Sequence, residues 1–564
     1  MQTIIPINVE GASRKRKREA PKGRRVDPAA LADVQALLGD ASRQADLLIE
    51  HLHKIQDRFG CLSAPHLAAL AHEMKLAQAE VYEVATFYHH FDVVKEDEAA
   101  PPALTVRVCE GLSCEMAGAR DLLARLPALL GREVRVLAAP CVGRCEQAPA
   151  VVVGQHPLAH AGCESVLAAV TAGETRHRPD GFIDYDAYRA DGGYTLLADC
   201  ASGAREADAV IATMEDAGLR GLGGAGFPAG RKWRIVRAEA GPRLMAINID
   251  EGEPGTFKDR YYLERDPHRF LEGALIAAWA VGIATIYIYL RDEYHGCRAL
   301  LEAELARLRA DPPMPDMPTL ILRRGAGAYI CGEESAMIES IEGKRGMPRL
   351  RPPFVAQVGL FGRPTLEHNF ETLYWVRAIV EQGAAWFIGH GRNGRKGLRS
   401  FSVSGRVREP GVKLAPAGIT IAELIAEYCG GMQDGHRFYA YLPGGASGGI
   451  LPASMDSIPL DFDTLQPYGC FIGSAAVVVL SDHDSAVAAA RNTMHFFRHE
   501  SCGQCTPCRV GTAKAAALID QPRWDIALLA ELSQVMRDAS ICGLGQAAPN
   551  PVDCVVKYFA HELE

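Results

Sequence analysis

The 564-residue sequence is poor in aromatic side chains, which make up 7% of it, and it has no long apolar segment. No apolar run reaches the roughly 18 residues that a membrane-spanning helix needs, so the sequence predicts no such helix. The first residues also lack the basic, apolar and small-residue order of a secretory signal peptide. Both absences favour a cytoplasmic protein.

The chain has no excess of positive charge, since 60 Lys and Arg residues stand against 69 Asp and Glu residues. This balance argues against a protein that mainly binds nucleic acid. Sixteen cysteines in a chain without a secretion signal indicate metal or redox use rather than disulfides. At roughly 150 residues per domain, the length predicts about four domains.

Eight cysteines fall into two spaced sets. Cys109 and Cys114 form a C-x4-C pair and Cys141 and Cys145 a C-x3-C pair, each pair following a predicted strand. Four such thiolates suit a [2Fe–2S] cluster, with structural zinc as the alternative. The second set has C-x2-C-x2-C spacing and a distant fourth member, which is typical of a [4Fe–4S] cluster. Its members are Cys502, Cys505, Cys508 and Cys542.

A glycine-rich stretch runs from Gly221 to Trp233 and fits the pattern G-x-G-x-x-G. Glycine backbone can approach a ligand closely, and free N–H groups in such a loop suit phosphate, to which Lys232 would add a charge. An ordinary dinucleotide fingerprint follows a strand and opens a helix. Here the pattern predicts a helix before the loop, at 207–219, and a strand after it, at 243–249. The motif alone therefore leaves a flexible surface loop open.

Beyond this loop, predicted strands and helices alternate, which indicates a parallel sheet with ligands at the carboxyl ends of its strands. The predicted strands span 244–249, 285–290 and 319–322, and the helices between them span 269–281 and 297–310. A second glycine-rich turn follows at 325–334. The turn after the first strand offers hydrogen-bond acceptors for ribityl or ribose hydroxyls. These are Asn248, Asp250, Glu251 and Glu253.

Four motifs together resemble the flavin-bearing, NADH-oxidising subunit of respiratory complex I. They are Gly-Leu-Arg-Gly-Leu-Gly-Gly-Ala-Gly-Phe-Pro at 218–228, Asn-x-Asp-Glu-Gly-Glu-Pro-Gly-Thr-Phe-Lys-Asp at 248–259, Gly-Ala-Gly-Ala-Tyr-Ile-Cys-Gly-Glu-Glu at 325–334 and Glu-Ser-Cys-Gly-Gln-Cys-Thr-Pro-Cys-Arg at 500–509. The N-terminal helices and first cysteine set resemble the thioredoxin-like [2Fe–2S] subunit of that complex. The resemblance covers nearly all of the chain from about residue 30.

The fusion of these two parts resembles the beta subunits of NAD-dependent formate dehydrogenases that contain molybdenum or tungsten. Leu222 stands where complex I has Arg, which favours that branch. Diaphorase subunits of NAD-reducing hydrogenases and complex I-type NADH:quinone oxidoreductases are the alternatives. The resemblance implies electron transfer between iron–sulfur clusters and NAD(H) through FMN, without a catalytic acid or base. It further implies a formate-oxidising, pterin-containing iron–sulfur alpha subunit as partner.

The resemblance implies a multidomain α/β and α fold. The predicted order is a basic flexible tail at 1–27, a helical segment at 28–97, a thioredoxin-like [2Fe–2S] domain at 98–175, a linker at 176–205, a Rossmann-like FMN/NAD domain at 206–398, a soluble-ligand-binding β-grasp (SLBB) domain at 399–475 and a helical [4Fe–4S] domain at 476–564. The charge run in the tail predicts either a solvated segment or an arm that docks on a partner subunit.

Site residues are also implied by the resemblance. FMN would be held by Gly221, Gly223, Gly224, Lys232, Asn248, Asp250, Glu251, Tyr329, Gly332, Glu333, His368 and Asn369. NAD(H) would lie near Phe227, Glu253, Glu334, Arg351 and Phe354. His368 replaces a usual Asn, and Arg351 replaces a common Lys and keeps its charge but not its shape.

Two other classes of function stay open on the residues alone. An electron carrier without a substrate site would need the cysteine sets but not the acidic and glycine-rich turns. A zinc-stabilised assembly protein would need only four-thiolate sites. The presence of both turns favours the flavoprotein.

Overall fold

The computed structural model describes residues 23–563. The predicted basic tail therefore lies, up to residue 22, outside the described residues. Among the residues described, no helix is long and apolar enough to cross a membrane.

The segment before the first cysteine set is helical, as predicted. Its elements are α1 (Pro28–Leu38), α2 (Leu48–Phe59), β1 (Leu62–Ser63), α3 (Ala64–Met74), α4 (Gln78–Phe87) and β2 (Val93–Val94). α1 begins at Pro28 because the Asp27 carboxylate accepts a hydrogen bond from the backbone N–H of Ala30 at 2.9 Å. The buried residues of this segment share one core with residues of the later parallel sheet, including Tyr289 and Ile330.

The first cysteine set lies in a small four-stranded sheet domain. Its elements are β3 (Leu104–Cys109), α5 (Leu112–Met116), α6 (Ala119–Leu130), β4 (Val134–Ala139), β5 (Val151–Val153), β6 (His156–Leu158) and α7 (Cys163–Ala172). The strand order is β4-β3-β5-β6, with β3 and β4 parallel. Both cysteine turns therefore leave the same edge of the sheet, since parallel strands end together.

The predicted linker at 176–205 contains two helices, α8 (Tyr185–Ala190) and α9 (Thr195–Ala201). Tyr185, Tyr188 and Tyr194 of this segment are buried and surround His268 of the next domain. The Gly and Asp content indicates a loop, but the aromatic side chains bury apolar area against a neighbour that sequence periodicity does not show.

The next domain contains a parallel sheet with helices, as the alternating pattern predicts. Its elements are α10 (Ala207–Ala217), α11 (Ala229–Ala238), β7 (Arg243–Ile249), α12 (Lys258–Leu263), α13 (Pro267–Val281), β8 (Ile283–Leu290), α14 (His295–Ala310), β9 (Thr319–Arg324), α15 (Glu334–Ile341), β10 (Thr365–Asn369), α16 (Phe370–Tyr374), α17 (Val376–Gln382) and α18 (Ala384–Ile388). The order is β10-β7-β8-β9, all parallel.

Helix α13 sets the position of the β10–α16 junction. Almost all of its residues are buried, and it packs directly on α16. A Cβ added at Gly273 would lie 2.0 Å from the carbonyl oxygen of Leu373, so only glycine allows this approach. The junction brings Asn369 to the carboxyl edge of the sheet, beside the turn that follows β7.

The β-rich domain is a five-stranded sheet in the order β12-β11-β15-β13-β14. Its elements are β11 (Leu398–Gly405), β12 (Gly411–Pro416), α19 (Ile421–Glu423), β13 (Phe438–Leu442), β14 (Leu451–Pro452) and β15 (Ala476–Ser481). β15 pairs with both β11 and β13 and is wholly buried. The predicted boundary after residue 475 is therefore wrong, because the central strand follows it.

The C-terminal part is helical, as predicted. Its helices are α20 (Ala486–Glu500), α21 (Thr506–Ile519), α22 (Ile526–Ala539), α23 (Gly543–Ala547) and α24 (Asn550–Tyr558). Cys502 and Cys505 lie between α20 and α21, Cys508 lies in the first turn of α21, and Cys542 directly precedes α23.

Candidate active site and cluster sites

The four C-terminal cysteines line one small cavity. Its other walls include Ile330 and Pro348 from the preceding α/β domain. Burial raises the pKa of the Cys508 thiol to about 11 and that of Cys542 to about 12. Four converging thiols on helix-terminal backbone suit a cubane cluster, which binds them as thiolates.

The first cysteine set also converges. The Sγ atoms of Cys141 and Cys145 lie 3.3 Å apart, and all four members are at most 4% exposed. A Cβ added at Gly111 would lie 3.3 Å from the Cβ of Cys141 and 3.5 Å from the Sγ of Cys109. The two cysteine turns therefore meet closely enough for one shared cluster.

Two buried arginines of the α/β domain bind the Cys141–Cys145 loop. Arg260 donates from Nε to the carbonyl oxygen of Gly143 at 2.9 Å, and Arg291 donates from Nη2 to that of Cys141 at 2.8 Å. Phe257 packs in one buried cluster with the two cysteines of the loop. Because Phe257 ends the acidic turn, the first cluster site lies directly against that turn.

The glycine-rich loop folds back on itself and lies against β10. Gly221 donates from its N–H to the carbonyl oxygen of Phe227 at 2.8 Å. Gly224 has φ +122°, a conformation that favours glycine. Lys232 donates from Nζ to the carbonyl oxygen of Glu367 at 3.0 Å. A Cβ added at Gly223 would lie 3.0 Å from the Cβ of Asn369.

The acidic turn meets the second glycine-rich turn. Asn248 donates from Nδ2 to the carbonyl oxygen of Gly332 at 2.8 Å, and a Cβ added at Gly332 would lie 3.1 Å from the carbonyl oxygen of Asp250. Burial raises the pKa of Asp250 well above its usual value. Its Oδ2 is buried and accepts no hydrogen bond from any described residue. A buried acceptor without a donor beside two glycine cradles fits a ligand such as FMN.

Two implied flavin residues have other roles in the structure. Glu251 accepts hydrogen bonds from the N–H groups of Asp259 and Arg260 and from the hydroxyl of Tyr294, at 2.8, 3.1 and 2.8 Å. Its carboxylate therefore stabilises the turn, and burial raises its pKa to about 7. The prediction that this carboxylate binds FMN does not fit these contacts.

His368 is 2% exposed, and its Nε2 accepts a hydrogen bond from Nε1 of Trp233 at 2.7 Å. Burial holds its pKa well below the usual value, so the ring is neutral. His368 therefore belongs to the core, and its predicted flavin contact is not supported. Asn369 instead faces the glycine loop, with its amide donating to Asp259 at 2.7 Å.

The Glu333 carboxylate also accepts hydrogen bonds from within the protein. Its carboxylate accepts from the N–H groups of Ser335 and Ala336 and so caps α15, at 2.9 and 3.0 Å. Arg351 pairs with Glu333 and lies 2.8 Å from the carboxylate of Glu334. Glu333, Glu334 and Arg351 thus form one charged cluster at the start of α15.

Glu253 lies where the α/β domain meets the β-rich domain. It is 9% exposed and accepts from the N–H and the hydroxyl of Ser447, both at 2.7 Å, and from the hydroxyl of Tyr329. Phe227 and Phe354 are exposed aromatics, at 39% and 54%. Sequence reasoning missed Ser447 because it is distant in the chain and carries no motif.

Family models match four parts of the chain. Residues 34–172 match the thioredoxin-like [2Fe–2S] ferredoxin, 214–378 the Nuo51 FMN-binding domain, 400–451 the SLBB domain and 488–564 the iron–sulfur binding region of NADH-ubiquinone oxidoreductase-F. The cofactor predictions, FMN with one [2Fe–2S] and one [4Fe–4S] cluster, are confirmed, and zinc is disfavoured for both cysteine sets.

Known proteins are similar to large parts of the chain. The chain is 41% identical over 399 residues to the F 2 subunit of NADH-quinone oxidoreductase from Rhizobium meliloti, covering 68% of this chain and 94% of that relative. It is 39% identical over 377 residues to the mitochondrial 51 kDa subunit of Neurospora crassa NADH-ubiquinone oxidoreductase, covering 63% and 76%. A chain of H2-reduced NAD+-reducing [NiFe]-hydrogenase superposes with a TM-score of 0.81 at 34% identity, covering 93% of both chains.

An FMN domain between two iron–sulfur domains defines a flavoprotein oxidoreductase of the NADH dehydrogenase type. More narrowly, the chain belongs to the family of the FMN-binding 51 kDa-type subunits of NADH-quinone oxidoreductases, with a thioredoxin-like [2Fe–2S] domain fused before it.

Gly223→Ala is expected to weaken FMN binding by about tenfold or more. The added Cβ would lie 3.0 Å from Asn369, which hydrogen bonds to Asp259 and the N–H of Glu371 hold in place. Overpacking of this kind costs about 1–3 kcal/mol. Fluorescence titration of the apoprotein with FMN measures the change. In the control Gly162→Ala, the added Cβ meets nothing within 4 Å. Equal FMN affinity in both variants would contradict the loop assignment.

Proposed function

We propose that this chain is a diaphorase subunit that exchanges electrons between NAD(H) and iron–sulfur clusters through FMN. One observation carries the proposal: the turn at 325–334 contacts both candidate sites. The hydroxyl of Tyr329 donates to Glu253, and the next residue, Ile330, lines the cavity of the C-terminal cysteines. Bound FMN supplies both hydride transfer with nicotinamide and single-electron transfer with clusters.

The protein residues supply position and exclusion of water. The glycine turns let backbone approach the flavin, and Asp250 offers a buried acceptor to it. We assign the entry of NAD(H) to the exposed aromatic rings of Phe227 and Phe354 and to the charge of Arg351. We assign no side chain as a general acid or base, in keeping with the sequence-based prediction.

The comparisons support a hydrogenase or complex I-type partner better than the formate-oxidising subunit that the sequence resemblance implies. The hydrogenase chain covers nearly the whole of this chain, including the fused [2Fe–2S] part, whereas the 51 kDa-type relatives match about two thirds of it. Copurification of the native complex with nickel, molybdenum and tungsten assays distinguishes the partners. Nickel indicates a hydrogenase, molybdenum or tungsten a formate dehydrogenase, and quinone reduction without these metals a complex I-type enzyme.

The purified chain is expected to bind FMN and to reduce an artificial dye with NADH in the absence of any partner, because all flavin and nicotinamide candidates lie in this chain. Steady-state dye reduction and flavin content per chain are the measurements. Flavin-loaded protein that fails to reduce the dye would contradict the proposal.

Cys505→Ala is expected to abolish electron transfer to the partner while NADH–dye reduction stays near the wild-type rate. Cys505 belongs to the C-terminal cluster set, whereas a dye can take electrons from the flavin. The comparison uses preparations of equal FMN content, because loss of a ligand can unfold a metal-binding domain. Cys163→Ala, in a half-buried cysteine outside both sets, is the control. Wild-type partner reduction in Cys505→Ala would show that this cluster is not the relay.

Glu253→Gln is expected to raise the KM for NADH about tenfold with FMN content unchanged. A charge-assisted hydrogen bond from the nicotinamide amide or a ribose hydroxyl contributes about 1.5–3 kcal/mol. Burial raises the pKa of Glu253, so in the wild type the KM should also rise as pH falls through that pKa and the carboxylate is protonated. In Glu253→Gln, the KM for NADH should no longer rise at low pH.

Steady-state NADH–dye kinetics across pH, beside flavin titration, measure both effects. Glu302→Gln, in an exposed acid on α14, is the matched control. Loss of FMN with unchanged KM would assign Glu253 to the flavin site instead. An unchanged KM and an unchanged pH profile would show that Glu253 does not bind NADH and has only a structural role, through its hydrogen bonds to Ser447 and Tyr329.

A further inference from the structure

A cleft of about 260 Å³ lies between the FMN domain and the β-rich domain. Arg220 and Leu222, at the start of the glycine-rich loop, form one wall, and Phe387 of α18 and Leu398 of β11 form apolar parts of the others. The candidate FMN residues that carry hydrogen-bonding side chains do not line this cleft. These are Lys232, Asn248, Asp250, Tyr329, Glu333 and Asn369.

The cleft has an excess of positive charge. Its cationic lining residues are Arg220, Arg395, Lys396 and Arg399. Carboxylates pair with three of them: Asp461 accepts from Arg395 and Arg399 at 2.7 and 2.6 Å, and Asp463 pairs with Arg220. Lys396 is exposed at the opening. Such a concave, cationic surface attracts anions.

Arg399 provides an independent indication of a ligand. It is 4% exposed, its Nη2 is bound to Asp461, and its guanidinium lies 4.2 Å from the ring centre of Phe462. Its Nε is buried and donates to no acceptor among residues 23–563. A buried guanidinium N–H is ordinarily hydrogen-bonded, and an oxyanion in the cleft would supply the acceptor.

The same cleft is structurally continuous with the flavin loop. The guanidinium of Arg220 lies 4.4 Å from the centre of the same Phe462 ring and donates from Nε to the carbonyl oxygen of Gly226. A Cβ added at Gly226 would lie 2.7 Å from the Phe462 ring. A ligand in the cleft would therefore contact side chains that also hold the glycine-rich loop.

We propose that this cleft is an additional anion site, which binds a small phosphate-bearing organic molecule through Arg395, Lys396 and Arg399. The apolar walls at Leu222, Phe387 and Leu398 accommodate its non-phosphate part. The site is separate from the hydride-transfer chemistry, so the proposal of an anion site can be tested independently of the proposed function.

Calorimetric titration of the FMN-loaded full chain with inorganic pyrophosphate, in saturating NAD+, tests the proposal. Both other phosphate-binding sites are then filled. One pyrophosphate should bind per chain, and Lys396→Gln should weaken its binding about tenfold by removing a charge-assisted hydrogen bond. Lys396 is exposed, so its replacement should leave folding and NADH–dye activity unchanged. Lys413→Gln, on β12 outside the cleft, should bind pyrophosphate like the wild type.

Arg395→Gln is the second variant and should weaken binding by a similar factor. The absence of pyrophosphate binding in the wild type at millimolar concentration would overturn the proposal. So would equal affinities in Lys396→Gln and Lys413→Gln. Loss of FMN from Lys396→Gln or Arg395→Gln would overturn it too, since these cations would then serve the phosphate of the flavin.

Discussion

The position of the [2Fe–2S] loop relative to the acidic turn depends on two buried guanidiniums. A buried Arg is strongly unfavourable unless its donors are bonded. Arg260 meets this requirement with Gly143, Glu146 and Glu264, and Arg291 with the carbonyl oxygen of Cys141 and with Glu293. Because some of these partners come from the [2Fe–2S] domain, neither domain can shift without leaving buried guanidinium N–H groups without an acceptor.

Tyr329 links the other two functional regions in a similar way. Its N–H donates to the carboxylate of Glu500 at 2.9 Å, two residues before Cys502, and its hydroxyl donates to Glu253. The C-terminal cluster domain and the candidate nicotinamide residue are therefore held by one side chain and its own backbone. This arrangement keeps the [4Fe–4S] site close to the flavin turns, which electron transfer requires.

Sequence reasoning found features that depend on local spacing, namely the two cysteine sets and the alternation of strands and helices. It missed features that depend on distant partners. β10 is short and polar and becomes a strand only by pairing with β7. Glu251 and His368 occupy positions at which the family resemblance implies FMN binding. In the structure they instead accept hydrogen bonds from residues distant in the chain, Tyr294 and Trp233. Cys470 and Cys554 look isolated in sequence, but their Sγ atoms lie 3.6 Å apart.

The fused N-terminal helical segment also forms hydrogen bonds with the flavin domain and packs against its core. His53 is buried, and burial lowers its pKa to about 3, so the neutral ring donates from Nε2 to the carbonyl oxygen of Gly325 at 2.8 Å. Tyr88 donates from its hydroxyl to the carbonyl oxygen of Lys344 at 2.7 Å, and the hydroxyl of Ser340 lies 2.9 Å from the same oxygen of Tyr88. The helical segment thus completes the core beneath the second glycine-rich turn. Covalent linkage keeps its effective concentration high, so this support does not depend on association of a separate polypeptide.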